Sequence, residues 1–383
     1  MIYSVDTVII GAGPAGSACA ITLQKENISN CVIDKKAFPR SKTCGGLVTG
    51  KTLHIIQKLL DAESTTEIEH VFCDKCSDVS LCDRTKELAA TEATHPFHFV
   101  DRKTFDHYLV SYYRELGGTL LDGNGAYTID YSNRTISFLN GDKVVYKTLI
   151  AADGALSKVR TDLGLKMDRK GFCVETHIPK HECDFKHHIG VHFSVIPDGY
   201  AWVFPAGDSY CVGLGGVYSK EVNYKKTLED FLTALGVSKD YQFMGAYVPY
   251  GEVVDASKLP ENVILIGDAA GLVDPIYGEG LYFALASGVE AALSIKEKDV
   301  SAKEAFLRRI EPYVRIVKQG ARLQKVFFHP IVQWGFLRTI CGHDNFLKYY
   351  CDKQISEYSY AYNQLIKLVF DYLKEGRNNH VDS

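Results

Sequence analysis

Val8-Ile9-Ile10-Gly11-Ala12-Gly13-Pro14-Ala15-Gly16 lies inside the opening 34 residues, and its reading decides the fold. The apolar run, with Val5 just upstream, has the composition of a short buried strand. The pattern predicts a helix to about Lys25 and a second apolar segment, Cys31-Val32-Ile33, ending at Asp34. Strand, glycine turn, helix, strand and acid in this order form the fingerprint of a dinucleotide-binding βαβ unit. Gly11 allows the tight turn, Gly13 leaves the backbone open to a pyrophosphate, and Gly16 lets the helix approach the sheet. The helix N-terminus, around Ala15, then offers N–H groups and a partial positive charge to the phosphates. Asp34, 23 positions after Gly11, sets a carboxylate where ribose hydroxyls can donate to it, with Lys35 beside it. NAD and FAD both fit this fragment alone.

Immediately downstream, Lys35 to Leu47 is first basic and then glycine-rich, with Cys44 at the bend before Gly45 and Gly46. Such a segment can pass close to a large planar ligand. Cys44 reads equally as a redox or acid group and as a small buried residue in a turn. Further on, a helix is expected over Lys51 to Leu60. Asp101-Arg102 opens an amphipathic helix through Tyr113, where Arg102 suits a phosphate or ribityl contact or a plain surface position. Residues 124 to 152 read as a three-stranded meander running into Ala152-Asp153-Gly154.

From about 170 to 250 the chain becomes aromatic and strand-like. In Tyr200-Ala201-Trp202-Val203-Phe204-Pro205 the period of two puts Tyr200, Trp202 and Phe204 on one face, as core or as the wall of an apolar pocket. A second glycine-rich block follows the strand Asn262 to Ile266: Gly267-Asp268, then Asp274-Pro275-Ile276-Tyr277-Gly278-Glu279-Gly280 and a small-residue helix, Leu281 to Leu293. Asp268 at the strand end can bind a polyol hydroxyl. The helix opening after Gly280 aims its positive end at whatever lies above it.

The chain has 383 residues, enough for two domains, with 46% hydrophobic and 23% charged residues and a net charge of −4. That balance argues against a general nucleic-acid binder. No export signal and no apolar run long enough to span a bilayer is visible. With eleven cysteines, free thiols in a reducing cytosol are the simplest expectation. Cys73, Cys76 and Cys82, with His70 nearby, look metal-like but lack a fourth ligand by spacing, so no metal is expected.

These blocks, in this order, resemble the FAD-dependent oxidoreductases of the para-hydroxybenzoate hydroxylase type. The resemblance implies an α/β fold in which a Rossmann-like FAD-binding domain is interleaved with an antiparallel-sheet substrate domain, and FAD rather than NAD in the glycine turn. Within that superfamily, Thr43-Cys44-Gly45-Gly46, the YxWxFP strand at 200–205 and the PxxGEG turn at 275–280 resemble the geranylgeranyl reductase family. That family implies hydride transfer from flavin N5 to an isolated C=C bond of an isoprenoid or similarly apolar lipid. By the same resemblance, Cys44 and Gly45 lie by the isoalloxazine, and Tyr200, Trp202 and Phe204 line the isoprenoid pocket. The flavin contacts are Gly11, Gly13, Ala15, Gly16, Asp34, Lys35, Cys44, Gly45, Arg102, Asp153, Gly267, Asp268, Pro275, Gly278 and Gly280. Cys44, then Tyr277, are the residues expected to influence protonation. The implied division is 1–72, 98–168 and 255–300 for the FAD domain, 73–97 and 169–254 for the substrate domain, and 301–383 for a helical C-terminal region.

Two other functions share the scaffold's signals: a flavin monooxygenase or halogenase, and a flavoprotein that modifies or chaperones a partner protein. The electron donor is open between NADPH and a ferredoxin-like protein. Residues 301 to 325 carry seven Lys or Arg against two Glu, and Pro312 interrupts their helical pattern. The apolar stretch Val326 to Leu337 follows. This region reads either as a basic amphipathic surface at an anionic membrane, giving a cytoplasmic protein with peripheral attachment, or as a helical lid packed on the FAD domain. The tail from Glu375 to Ser383 is polar and expected to be disordered.

Overall fold

The computed structural model describes residues 1–123, 125–186, 188–341 and 346–356; the polar tail from Glu375 lies outside them. The opening unit is the expected βαβ: β1 (Ile2–Ile10), α1 (Pro14–Lys25) and β2 (Asn30–Asp34). A two-residue strand, β3 (Leu47–Val48), and α2 (Gly50–Leu59) follow, then a hairpin of β4 (Asp74–Asp83) and β5 (Lys86–Phe99). Next come α3 (Arg102–Glu115), β6 (Thr119–Asp122), β7 (Tyr127–Asp130), β8 (Thr135–Phe138), β9 (Lys143–Ala151) and the short α4 (Lys158–Asp162).

These elements build the first sheet in the order β6-β2-β1-β9-β8-β7. β1 runs parallel to both β2 and β9, with Ile10 opposite Ala151. Strand β9 shows why its sequence changes character half-way. Its first half alternates exposed and buried and pairs antiparallel with β8, whereas Leu149-Ile150-Ala151 are all buried where β15 (Val263–Leu265) adds in parallel. Interior parallel strands are covered on both faces, so they read as continuous apolar runs. The meander expected over 124–152 is thus β7-β8-β9, its last strand continuing into the parallel core.

The second sheet takes β10 (Lys170–Pro179), β11 (Ile189–Phe193), β12 (Gly199–Ala206), β13 (Ser209–Val217) and β14 (Met244–Pro249), with α5 (Tyr224–Ala234) between the last two. Its order is β14-β10-β13-β12-β11-β4-β5-β3, antiparallel except for the β11–β4 pair. Strand β12 divides two cores. Ala201 and Val203 pack towards Leu228 and Phe231 of α5, while Trp202 and Phe204 join Phe97, Phe99 and the C-terminal helices.

Those helices are α6 (Leu281–Lys296), α7 (Ala302–Phe327), α8 (Pro330–Cys341) and α9 (Phe346–Ser356). The expectation that Pro312 interrupts the helical pattern is corrected, because α7 runs 26 residues through it. A proline costs an interior helix a hydrogen bond and a clash. Here Phe306, Ile310 and Val317 are buried in the main core, and that anchorage on both sides of Pro312 holds the helix together. Phe328, Leu337, Phe346 and Leu347 bury against the aromatic side of β12. No helix among the described residues is long and apolar enough to cross a membrane.

Candidate functional site

The turn between β1 and α1 contains two glycines that nothing else could replace and one that leaves room. Gly11 has φ +101°, and a Cβ there would stand 2.3 Å from the Ala152 carbonyl oxygen. A Cβ on Gly16 would lie 1.8 Å from the Gly11 carbonyl oxygen. At Gly13 the nearest atom to such a Cβ is Arg40 Nη2, at 3.8 Å. Gly13 also caps α1 without any side-chain acceptor, and Pro14 has no N–H to satisfy. An open backbone at an uncapped helix start is the cradle a pyrophosphate needs.

Asp34 closes the mouth of this turn. Its carboxylate accepts the Ala12 and Lys36 N–H groups, each at 2.9 Å, and ion-pairs with Arg40 at 3.1 Å. Lys35, expected beside the ribose, is exposed. Asp101 caps α3 by accepting the Thr104 N–H at 3.0 Å, which puts Arg102 at the helix's first position. One turn on, the fully buried Asp106 accepts from Arg102 Nε at 2.7 Å and Nη2 at 2.9 Å, and Arg40 reaches it at 3.4 Å. Asp34, Arg40, Asp106 and Arg102 therefore form one alternating chain of charge. Sequence reading found its ends and missed Arg40 and Asp106; the i, i+4 spacing of Arg102 and Asp106 was the available signal.

The second glycine block meets the first. A Cβ on Gly288 of α6 would come 2.3 Å from the Ala15 carbonyl oxygen, and one on Gly267 would sit 3.0 Å from Ala15 Cβ. That close helix crossing brings Gly267, Asp268 and the Gly280 cap of α6 to the same region as the first turn. Gly280 likewise caps its helix with no side-chain bond, and a Cβ there would lie 3.5 Å from Asp268 Oδ1. Asp153 is divided between tasks. One oxygen accepts the Lys158 and Val159 N–H groups at 2.7 and 3.2 Å, and the other is buried without a partner. Burial pushes its carboxyl above the usual range. An orphaned buried acceptor facing this junction fits a polyol donor from a bound dinucleotide.

The turn carrying Pro275, Tyr277 and Gly278 is organised from inside. Asp274, fully buried, accepts the Ile276 and Tyr277 N–H groups at 2.8 Å each, and Gly278 takes φ +67°. Glu279 pairs with Lys51 at 2.6 Å and accepts from Thr49 and Thr52 at 2.6 and 3.2 Å. Tyr200 hydrogen-bonds the Tyr277 carbonyl, and the Tyr350 hydroxyl of α9 lies 2.9 Å from that of Tyr277. No local pattern marked Lys51, which is 6% exposed and far in sequence from its partner Glu279.

The Thr43–Gly46 loop stands between these parts. Gly46, at φ +79°, approaches Val100 so closely that a Cβ would meet its carbonyl oxygen at 2.4 Å. A Cβ on Gly45 would touch Phe204 at 3.0 Å and Trp202 Nε1 at 3.3 Å. The Cys44 N–H donates to Glu175 Oε1 at 2.9 Å. Beside them is a cavity of about 240 Å³ lined by Lys42, Cys44, Gly45, Arg102, Glu175, His177 and Cys211, among others. Its lining is more polar than an isoprenoid wall, and Trp202 and Phe204 are not part of it; both are 7% exposed, behind Gly45. The polar atoms of Glu175, His177 and Cys211 lie within 4.8 Å of one another, whereas Cys73, Cys76 and Cys82 form no such group among the described residues. Burial pushes the Glu175 carboxyl up to about 7 and the Cys211 thiol well above its ordinary value. No sequence signal marked Glu175, because a lone acid in an apolar strand has no motif.

The FAD binding domain family matches residues 4–186. An uncharacterized protein of Methanosarcina barkeri is 32% identical over 337 residues, covering 83% of this chain and 81% of that one. The digeranylgeranylglycerophospholipid reductase of Methanocaldococcus jannaschii is 29% identical over 333 residues, covering 82% of each. Among solved structures, a geranylgeranyl bacteriochlorophyll reductase-like protein from Thermoplasma acidophilum superposes with a TM-score of 0.69 at 19% identity, over 98% of this chain and 97% of that one. The halogenase PltM, in complex with phloroglucinol and FAD, reaches 0.70 at 15% identity, over 88% and 79%. These two likenesses establish the fold.

Proposed function

Because the chain belongs to the geranylgeranyl reductase family of FAD-dependent oxidoreductases, we propose that it reduces C=C bonds of an isoprenoid or similarly apolar lipid. The observation that carries this reading is the seat of the Cys44–Gly46 loop. One side of the loop faces Arg102 and Glu175, and the other lies against the aromatic face of β12, which the C-terminal helices roof with Phe328, Leu337, Phe346 and Leu347. A polar chamber thus adjoins an apolar layer, as a reaction needs that places a lipid alkene beside a charged cofactor.

In this reading, Gly13 and the start of α1 hold the FAD pyrophosphate, Asp34 the adenosine ribose, and Arg102, Asp153 and Asp268 the central polyol and phosphates. The α6 N-terminus would face the isoalloxazine, where its positive end would favour an anionic reduced ring. When bound and reduced, FAD would supply the hydride for one alkene carbon. The protein's own residues orient the alkene, exclude water and furnish the second hydrogen as a proton. The interleaved division into FAD and substrate domains belongs to the same reading, and the two sheets support it.

Anaerobic photoreduction followed by a geranylgeranyl lipid tests the proposal. Reoxidation of the flavin without oxygen is the expected result. A flavin that stays reduced until air enters would refute it and favour the monooxygenase or halogenase scaffold-mates. Membrane attachment has its own support. Val326, Ile331 and Trp334 are 54, 73 and 61% exposed, next to the exposed Lys325, at the end of α7 and the start of α8. An apolar patch flanked by basic residues can settle on an anionic lipid surface.

A further inference from the structure

Saturating a double bond needs a proton as well as a hydride, and of the two residues expected to influence that step only Cys44 lines the cavity. Tyr277 shares its hydroxyl with Tyr350 and does not line the cavity beside Cys44. Cys44 contributes its backbone N–H to a neighbouring acid. That acid is Glu175. Taking the alkene-reduction reading as its basis, we infer that Glu175 is the proton donor of this site: its carboxyl O–H bond breaks, and the proton joins the second alkene carbon through the π-electron pair. The carboxylate left behind then takes a proton back from water.

Glu175 sits in the middle of β10 and is 1% exposed. Its cross-strand neighbour is Gly213, where a Cβ would stand 2.8 Å from Glu175 Cβ, so the sheet is opened to admit the side chain. Oε1 accepts the Cys44 N–H, and Oε2 is buried with no hydrogen-bond partner. No lysine or arginine forms an ion pair with it among the described residues. A carboxylate in such a place loses solvation without recovering it, whereas a carboxylic acid keeps its proton and does not. A purely structural role would need only the acceptor that Cys44 uses, and a glutamine would supply that.

Burial holds the proton on Glu175 against its polar neighbours, of which the Cys44 N–H and the Cys211 thiol favour the anion most. Lys42 and Arg102, on the loop and α3, favour the anion, and burial opposes them more strongly, giving a value of about 7. The thiols of Cys173 on its own strand and Cys211 on β13 are held neutral by burial. Asp101 lies on the cavity wall, and His177, two residues along the same face of β10, is exposed and shares the cavity, giving the carboxylate a route to solvent. An acid poised near operating pH is the most effective proton donor.

The test uses Glu175→Gln holoenzyme, with FAD content and thermal midpoint as controls for folding and Glu175→Asp as a second variant. Infrared titration of the whole protein reads the acid directly. A carboxylic-acid carbonyl band that disappears with a midpoint near pH 7 in the wild type, and is missing from Glu175→Gln, is expected. Anaerobic, alkene-driven reoxidation should fall by about 10²- to 10⁴-fold in Glu175→Gln and recover partly in Glu175→Asp. Wild-type enzyme that turns over beside a Glu175→Gln variant of equal rate would overturn the donor role and leave the alkene reading standing. Absence of the band in the wild type across pH 5 to 9 would overturn it too. Wild-type enzyme that leaves the alkene untouched refutes the functional reading, and the donor role falls with it.

Discussion

Glu175 makes a prediction about folding that needs neither cofactor turnover nor a known substrate. Its carboxyl is raised from an ordinary 4.5 to about 7 by burial. Between those values the folded state binds more protons than the unfolded state, so stability falls as pH rises through the window. The penalty is absent below about 4.5 and fully present above about 7. A difference of roughly 2.5 pKa units corresponds to about 3 kcal/mol at the alkaline limit. Partial titration puts the cost near 1 kcal/mol at pH 5 and near 3 kcal/mol at pH 8, on the order of magnitude such linkage allows. Glu175→Gln keeps the shape and the Cys44 contact but carries no titrating group. The difference in unfolding free energy between variant and wild type should therefore swing by about 2 kcal/mol in favour of the variant from pH 5 to pH 8. With a urea m-value of about 3 kcal/mol/M, the denaturation midpoints should diverge by ~0.7 M across that range. Any constant offset from the substitution cancels, because the slope is what is read. A gap that does not change with pH would show that Glu175 is already ionised in the fold, and the reasoning from burial would be wrong.

Three other perturbations separate structure from binding. Gly16→Ala should prevent folding, since its Cβ would overlap the Gly11 carbonyl, whereas Gly13→Ala has room and should fold normally yet lose FAD affinity by on the order of tenfold or more; absorbance and thermal midpoints of the two read this directly. Lys51→Met strands the Glu279 carboxylate, 13% exposed, and should cost about 3–5 kcal/mol in urea unfolding. Adding Glu279→Leu to it should restore most of that loss. Ile331→Ser with Trp334→Ser should reduce sedimentation with anionic phosphatidylserine vesicles while leaving the fold intact; unchanged sedimentation would remove the lipid-surface role.

Local chemistry explains which parts of the fold were legible in the sequence. The glycine turn, Asp34 and the second glycine block are set by steric needs within a few residues, so their types and spacing carried the information. The alternation of Tyr200, Trp202 and Phe204 announced a shared face, and the structure gives that face to the C-terminal helices. The helix through Pro312 was not legible, because contacts with another layer decide it. The same applies to Lys51, whose partner Glu279 is distant in sequence.

The site divides along the same line. Cys44 stands out in the sequence because a cysteine before two glycines is unusual, yet its clearest structural act is to donate a backbone N–H that any residue except proline could provide. Glu175 has no motif, and it acquires its chemistry only when Gly213, Cys211 and the Cys44 loop enclose it. What makes a group useful as an acid is the loss of water around it, and desolvation is a property of packing between elements rather than of spacing along one. A glutamate on an exposed strand would have the same sequence neighbours and an ordinary carboxylate. The flavin cradle is therefore written locally, while the proton chemistry is written in the packing of the Cys44 loop against the second sheet.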